Sequence, residues 1–445
     1  MLRNPSHRVA LWFRTPPSVP KPAVDVMADR RIIAVAGAGI AGLTVALLLE
    51  RQGYRVLVFE QTEAPAATGA GIQISPNAFK VLESLGLGRA MRTASQMPSC
   101  IQLGDGPSGR PITEYPMGRQ ILERHKAPYL QIHRVDFAHI LKAACDDRED
   151  VEIIYNHKIT DLASHANGIT VLTESNRRFE EYQARAIIGA DGVWSNLRRF
   201  VYGAQKPEFS GRIAWRALFD METIPDELSR EATGLWLGKD AHLVHYPLRQ
   251  GRMMNVVAIT PVTAGEVMPR GWLEEGPTSQ RTEWFHRWAP TLESLILRRA
   301  NWGGWPIYTT PKIGKLANGP LCLIGDAAHA MAPFAAQGGA SAIEDAAILA
   351  SLCGQAQGDL PAAFLRYEKQ RTPRLKKLVA LSEANRRIYH MGFPGNQFRN
   401  IYLKMASKER LHRRMDWVYG WEPNIPPLPK PGLFTKWMPS GQTDQ

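Results

Sequence analysis

Residues 32–42 read IIAVAGAGIAG, and Glu60 follows eighteen residues after Gly42. Five apolar residues in a row, Ile32 to Ala36, are what a strand covered on both faces requires. The glycines let the chain turn sharply and bring its backbone close to a ligand. The run from Gly42 to Gln52 predicts a helix, whose free N–H groups and positive dipole end would face an anion. Val56 to Glu60 predicts the next parallel strand, reached by a right-handed crossover. An acid at its end suits the diol of an unphosphorylated adenosine ribose. Gly37, Gly39, Ile40, Ala41, Gly42 and Glu60 are therefore candidate contacts to the adenosine and pyrophosphate of a nucleotide. A glycine turn alone is weak evidence, since a strand can turn into a helix with no ligand; the strand, helix and acid around this one supply the context.

A second turn of the same kind lies far downstream. Residues 324–329 read IGDAAH after the apolar run from Leu321, then 333–339 read PFAAQGG ahead of a helical stretch from Ala340. One nucleotide needs one such turn. Two suit a longer ligand with a flavin end, which favours FAD over NAD. Asp326 would hold a ribityl hydroxyl. The N–H groups near Gly338 and Gly339 would face the pyrimidine edge of the flavin, where reduction places negative charge. The glycine-rich loop Gly69-Ala70-Gly71 leads into another extended stretch.

These elements predict an α/β protein: a Rossmann-like FAD-binding domain, an inserted and mostly antiparallel β-sheet substrate domain, and C-terminal helices. The boundaries read 1–30 for a flexible N-terminal extension, 31–204 and 311–385 for the two parts of the FAD domain, 205–310 for the substrate sheet, and 386–445 for a basic helical region and tail. Val9 to Phe13 is too short for the core of a signal peptide, and Arg14-Thr15-Pro16-Pro17 ends it. Cys100 to Gln120 reads as a hairpin excursion. Runs such as Arg212 to Phe219, His242 to Leu248 and Met253 to Thr260 read as strands of the inserted sheet. Strand alternation puts His242 and His245 on opposite faces, with His242 sharing its side with Val244 and Tyr246. Arg216 reads as a member of a cross-strand ion pair, or as a partner for a substrate carboxylate.

With 445 residues, 44% hydrophobic and 22% charged, the chain is long enough for a large core and too apolar for wholesale disorder. No run of about 18 apolar residues predicts a membrane span. Four scattered cysteines without metal-ligand spacing suit reduced thiols in the cytoplasm and no metal site. The net charge of +12 is concentrated: between Arg366 and Arg414, fourteen Lys or Arg face three Glu. A solvated helix face, or a field drawing in anionic substrate and pyridine nucleotide, accounts for it without a nucleic-acid partner, for which no motif is present.

Three stretches together, GAGIAG with Glu60, IIGADGVWSNLRR at 187–199 and IGDAAHAMAPFAAQGGASAIEDA at 324–346, resemble the class A flavoprotein aromatic monooxygenases of the p-hydroxybenzoate hydroxylase fold. Within them the chain is most similar to the group of salicylate hydroxylase, 3-hydroxybenzoate 6-hydroxylase and 6-hydroxynicotinate 3-monooxygenase. Residues 71–78 (GIQISPNA) and 246–249 (YPLR) also fit that group, and the resemblance spans Ile32 to Tyr419. It implies non-covalent FAD, NADH or NADPH as co-substrate, O2, and a small phenolic acid or hydroxypyridine hydroxylated through a flavin C4a-hydroperoxide. It implies no metal, and a monomer or homodimer. Position by position, it implies FAD contacts at the first turn, Gly71, Arg134, Asp191, Asp326, Pro333, Gly338 and Gly339. His242 becomes the candidate base or phenolate partner and Gln337 a candidate substrate contact; His329 suits a structural role as well as proton transfer. A halogenase would carry a WxWxIP signature, to which Trp302-Gly303-Gly304-Trp305-Pro306 is only faintly similar. A reductase of this fold, or a flavin-binding sensor without turnover, is the remaining alternative.

Overall fold

The computed structural model describes residues 31–63, 70–203, 205–228, 230–262, 281–298 and 302–423. The N-terminal extension, Gly69 and the end of the tail lie outside the described residues.

The strand Ile32–Ala36 is buried at every position and forms the middle of a six-stranded sheet. Its order is Ala317–Asn318, Leu321–Leu323, Ala186–Gly189, Ile32–Ala36, Arg55–Phe59, Val151–Ile154. All pairs are parallel except the short edge pair 317–318 with 321–323. The helix Ile40–Glu50 starts two residues earlier than its composition suggests, because Gly39 already takes the extended conformation of an N-cap. It is buried from Gly42 through Leu49. A helix that is apolar all round has to be covered all round, and here the sheet, the helix Arg134–Asp146 and the helix Gly338–Gly354 cover it.

The second layer is a seven-stranded sheet in the order Gly303–Thr309, Glu208–Asp220, Met253–Pro261, His242–Leu248, Thr233–Leu237, Cys100–Asp105, Pro111–Pro116. It is antiparallel except where Thr233–Leu237 runs parallel to Cys100–Asp105. The Cys100–Pro116 hairpin therefore belongs to this sheet although it lies well before residue 205. Local patterning shows a hairpin but not its distant partner. This sheet has its own core, around Trp215, Val256, Phe285 and Leu295.

The basic C-terminal stretch forms the helices Leu360–Tyr389, Gly395–Met405 and Lys408–Tyr419. Asp359 caps the first, accepting a hydrogen bond from the Ala362 N–H, and Pro361 occupies its first turn. Part of the positive charge is spent inside the protein. Arg371 is fully buried, with its Nε 2.6 Å from Asp345 and an Nη 2.7 Å from Glu344. Arg374 also pairs with Glu344. Asp345 in turn accepts the Gly325 N–H at 2.9 Å and bonds His329, so one carboxylate ties the second glycine turn to two helices. This is the structural role for His329. Among the described residues no helix is long and apolar enough to cross a membrane, and no group of His, Cys, Asp or Glu could hold a metal ion.

Burial pushes the Asp345 carboxyl towards neutrality, but His329 and Arg371 outweigh it and hold its pKa below the ordinary carboxylate value. Asp345→Asn leaves Arg371 with a buried, partly uncompensated charge and is expected to lower unfolding free energy by about 3–5 kcal/mol in urea at neutral pH. A folded pKa below the unfolded one stabilises above that unfolded value of 3.8. The gap between wild type and variant should therefore shrink as pH falls below it. A gap that stays constant into acid would contradict this account.

Candidate active site

Both glycine turns sit at the C-terminal ends of parallel strands, on either side of the strand Ala186–Gly189. In the first, Gly37 has φ +97°, and a Cβ there would lie 2.6 Å from the Ala190 carbonyl oxygen. A Cβ on Gly42 would lie within 1.9 Å of the Gly37 carbonyl oxygen. These two glycines serve the packing of turn, helix and sheet. Gly39 differs, since a Cβ there would meet nothing within 4 Å. It borders open space together with Ile40 and Ala41 at the helix N-terminus. In the second turn Gly325 has φ +58° and is wedged between Ala41 and Ala342, whose Cβ atoms would stand 3.1 and 3.2 Å from its own. The two helix starts thus meet across one glycine.

They open into a cavity of about 420 Å³, within the usual range for small-molecule and cofactor sites. One wall carries Gly39, Ile40, Ala41, Asp326, Pro333, Gly338 and Gly339, with Arg134 and Gly71 beside them. The opposite wall is the inner face of the seven-stranded sheet: Ala214 and Arg216, His242, Val244 and Tyr246, Val257 and Ile259, and Trp305 and Ile307. Trp194 and Tyr308, ring centroids 4.5 Å apart, close one side. A ligand with an anionic middle and a flat polar end fits these residues. The Ile40–Glu50 helix start and open Gly39 offer N–H groups to phosphate, exposed Asp326 offers a carboxylate, and the Gly338–Gly354 helix directs its N-terminus at the far end.

Several sequence candidates act around the cavity rather than on it. Glu60 accepts the Ala38 N–H at 2.9 Å and the Thr62 N–H at 3.0 Å, so it braces the first turn that a ribose would approach. Asp191 caps the next loop, accepting the Asn196 N–H at 2.8 Å and the Leu197 N–H at 3.2 Å; its other oxygen is buried without a partner, and burial raises its pKa. Gln337 is buried and turned away from the cavity. Its side chain bonds Ser75 and Asn77, and Asn77 bonds Glu344 at 2.6 Å. It positions the loop 333–339, and the substrate contact read from sequence is not made by its side chain here. Gly71 earns its place by packing: a Cβ there would stand 2.6 Å from the Tyr246 hydroxyl, while its N–H donates to Asn255 at 2.9 Å.

His242 faces the cavity and His245 the other side of the sheet, stacked on Trp236. His242 Nδ1 lies 2.8 Å from His390 Nε2, at the end of the long C-terminal helix. No local pattern around His390 announces this contact, and sequence reading missed it. Burial, with Arg212 nearby, pushes the His242 pKa down to about 3; burial, His242 and the cations Arg212, Arg386 and Arg399 push that of His390 to about 2. Both imidazoles are therefore neutral at ordinary pH. His242 is a poor reservoir for a proton and a good neutral hydrogen-bond partner.

A family profile described as "FAD binding domain" matches residues 31–382. The 3-hydroxybenzoate 6-hydroxylase of Klebsiella oxytoca is 32% identical over 389 residues, covering 87% of this chain and 96% of that protein. The 6-hydroxynicotinate 3-monooxygenase of Bordetella bronchiseptica is 29% identical over 398 residues, covering 89% and 96%. The structure of Klebsiella pneumoniae HpxO with FAD and uric acid superposes with a TM-score of 0.76 at 24% identity, over 86% of this chain and 95% of that one.

The glycines of the first turn should separate under mutation. Gly39→Ala has room within the protein but fills the approach to the phosphates; purified protein should keep its melting temperature and lose most of its bound flavin. Gly42→Ala forces the backbone at Gly37 to move, and should lose both. Equal flavin content in Gly39→Ala and wild type would remove Gly39 from the cofactor site.

Proposed function

The chain belongs to this FAD-binding-domain family of flavin-dependent monooxygenases, and we propose that it hydroxylates a small phenolic acid or hydroxypyridine held against the sheet wall of the cavity. The observation that carries the reading is that one cavity is bounded both by the two glycine turns and by the sheet face bearing His242. When bound, FAD accepts hydride from NADH or NADPH and supplies one oxygen atom of O2 to the ring.

The chain's own residues orient, exclude water and place charge. Gly39, Ile40 and Ala41 would hold the pyrophosphate by backbone N–H groups, and Asp326 a ribityl hydroxyl. Arg134, exposed at the start of the helix Arg134–Asp146 and lining the cavity, adds positive charge beside these groups. The first-turn N–H groups at Gly338 and Gly339 would stabilise negative charge at the flavin's pyrimidine edge. Val244, Val257 and Ile259 give the substrate ring an apolar bed. His242, held by His390, would orient the ring hydroxyl. In one tautomer of the pair its Nε2 accepts the hydroxyl proton's hydrogen bond, and in the other it donates to a phenolate oxygen. We place the enzyme in the cytoplasm, in keeping with four unpaired cysteines, and acting as a monomer or homodimer.

The test is a panel of hydroxylated aromatic acids and hydroxypyridines, scored for stimulated NADH and NADPH oxidation and for a product one oxygen heavier. Failure of every compound to accelerate flavin reduction would refute the hydroxylase reading. His242→Asn should retain flavin and lower product formation about 10- to 100-fold, the worth of one strong hydrogen bond. Because its pKa lies near 3, the wild-type rate should show no His242 ionisation around pH 6.5; a limb there that vanishes in His242→Asn would show that it does act as a titrating base.

A further inference from the structure

The exposed apolar surface is unevenly spread. Among the described residues twelve large hydrophobic side chains are exposed, and six of them, Met391, Phe393, Phe398, Ile401, Tyr402 and Met405, fall within fifteen consecutive positions. Apolar residues exposed one at a time are ordinary, but a cluster marks a surface that meets something apolar. Phe398, Ile401, Tyr402 and Met405 stand at the i, i+3, i+4, i+7 spacing that lines one face of the helix Gly395–Met405. A surface helix normally turns such a stripe to the core. This one is reversed. The residues it buries are Arg399 and Leu403, and Arg399 donates to the Ile388 and Tyr389 carbonyls. The stripe faces outward and is convex, with Phe393, Phe398 and Met405 79%, 71% and 81% exposed.

The rim of the stripe is cationic. From residue 384 to 408 the sequence has no Asp or Glu and five Lys or Arg. Lys404 and Lys408 are exposed, exposed Lys239 lays its stem against Gly392, and the Arg410 guanidinium sits 5.4 Å from the Tyr402 ring. The carboxylates at the two ends of that run are already engaged, Glu383 by Arg386 and Arg387, and Glu409 by Arg124 and Arg413. A second copy of the chain docked through this face would set two cationic rims against each other. The partner has to supply apolar depth and negative charge together, and a convex row of tips inserts into it and does not receive it. We propose that the helix Gly395–Met405 docks the protein on membranes that contain anionic phospholipid. Phe393, Phe398, Ile401, Tyr402 and Met405 enter the acyl boundary, and Lys239, Lys404, Lys408 and Arg410 meet the headgroups. At 11 residues the helix is about 16 Å long, half the thickness of a hydrocarbon core of about 30 Å, so it lies on the surface and does not cross it.

The test is flotation of the purified, flavin-loaded full chain with vesicles of phosphatidylcholine alone and of phosphatidylcholine with about one-third phosphatidylglycerol. At low salt the protein should bind the anionic vesicles at least about tenfold more tightly than the neutral ones, and added salt should release it. Phe398→Ser combined with Met405→Ser should weaken binding to the anionic vesicles at least about tenfold, whereas Phe398→Leu with Met405→Leu, which keeps the stripe apolar, should bind like wild type. Lys404→Gln combined with Lys408→Gln should weaken it about 5- to 20-fold. All of these side chains are exposed, so each variant should keep the wild-type melting temperature and flavin content, which separates lost docking from lost folding. No binding of the full chain to anionic vesicles, equal binding to neutral ones, or binding that survives Phe398→Ser with Met405→Ser would each overturn the assignment. So would a dimer, seen by sedimentation without vesicles, that the same serine pair dissociates, since a second copy would then cover the stripe. Flotation that begins only after removal of residues 424–445 would overturn it as well, by giving the stripe to the chain's own tail.

Discussion

The carboxylate of Asp345 holds together elements that the rest of the structure needs in one place. It receives the Gly325 N–H, the His329 ring and the Arg371 guanidinium, all in the interior. Gly325 is thereby held between Ala41 and Ala342, and the helices that begin at Ile40 and Gly338 start side by side. Each helix start alone is a modest anion site. Placed together on one rim of a cavity, they can serve separate anionic parts of a single long ligand. Burying this carboxylate is tolerable only because all its partners are buried with it.

The cavity's electrostatics follow from what each wall must do. The turn wall offers N–H groups, helix dipoles and Arg134. The sheet wall offers Arg216, aliphatic side chains and a histidine kept neutral by burial and by the cations Arg212, Arg386 and Arg399 around its partner. Asp326 is the acid on the cavity lining. A site of this balance receives anions, and it does so in a water-poor setting where each charge acts more strongly than in solvent. The basic C-terminal helices, much of whose charge first reads as surface, contribute to the same field through Arg386 and Arg399, which act on His390 beside His242.

The parts legible in sequence are those whose physics is local. A run of five apolar residues means a strand covered on both sides, glycine followed by a helix means a tight turn, and alternation along His242–Leu248 puts His242, Val244 and Tyr246 on one face. The second glycine turn pointed to Asp326 and Gly338, and the family resemblance added Arg134, all of which line the cavity. What escaped depends on partners far away in the chain. The Cys100–Pro116 hairpin pairs with a strand more than a hundred residues on, which its own pattern does not specify. Gly71 lines the cavity, but the packing of the Tyr246 ring against it, which also demands a glycine, is not visible in its own stretch of sequence. Gln337 stands in a loop that faces the cavity, yet its side chain is captured by Ser75 and Asn77 behind it. His390 reaches His242 from the end of a helix whose own sequence reads only as basic.

Arg216 shows how the same constraint yields information when it is violated. In a folded interior, polar groups find partners because leaving them without costs more than most single contacts return. Arg216, with no acceptor among the described residues, is the exception on this sheet. Its strand position is regular, its cross-strand neighbours are aliphatic or glycine, and its exposed side is the cavity. Strain in folding does not explain it, since any shorter or apolar residue would pack on that face at lower cost. The turns and the helix starts form one wall of the cavity and the sheet face the other; on this sheet, Arg216 is the residue that departs furthest from the requirements of folding.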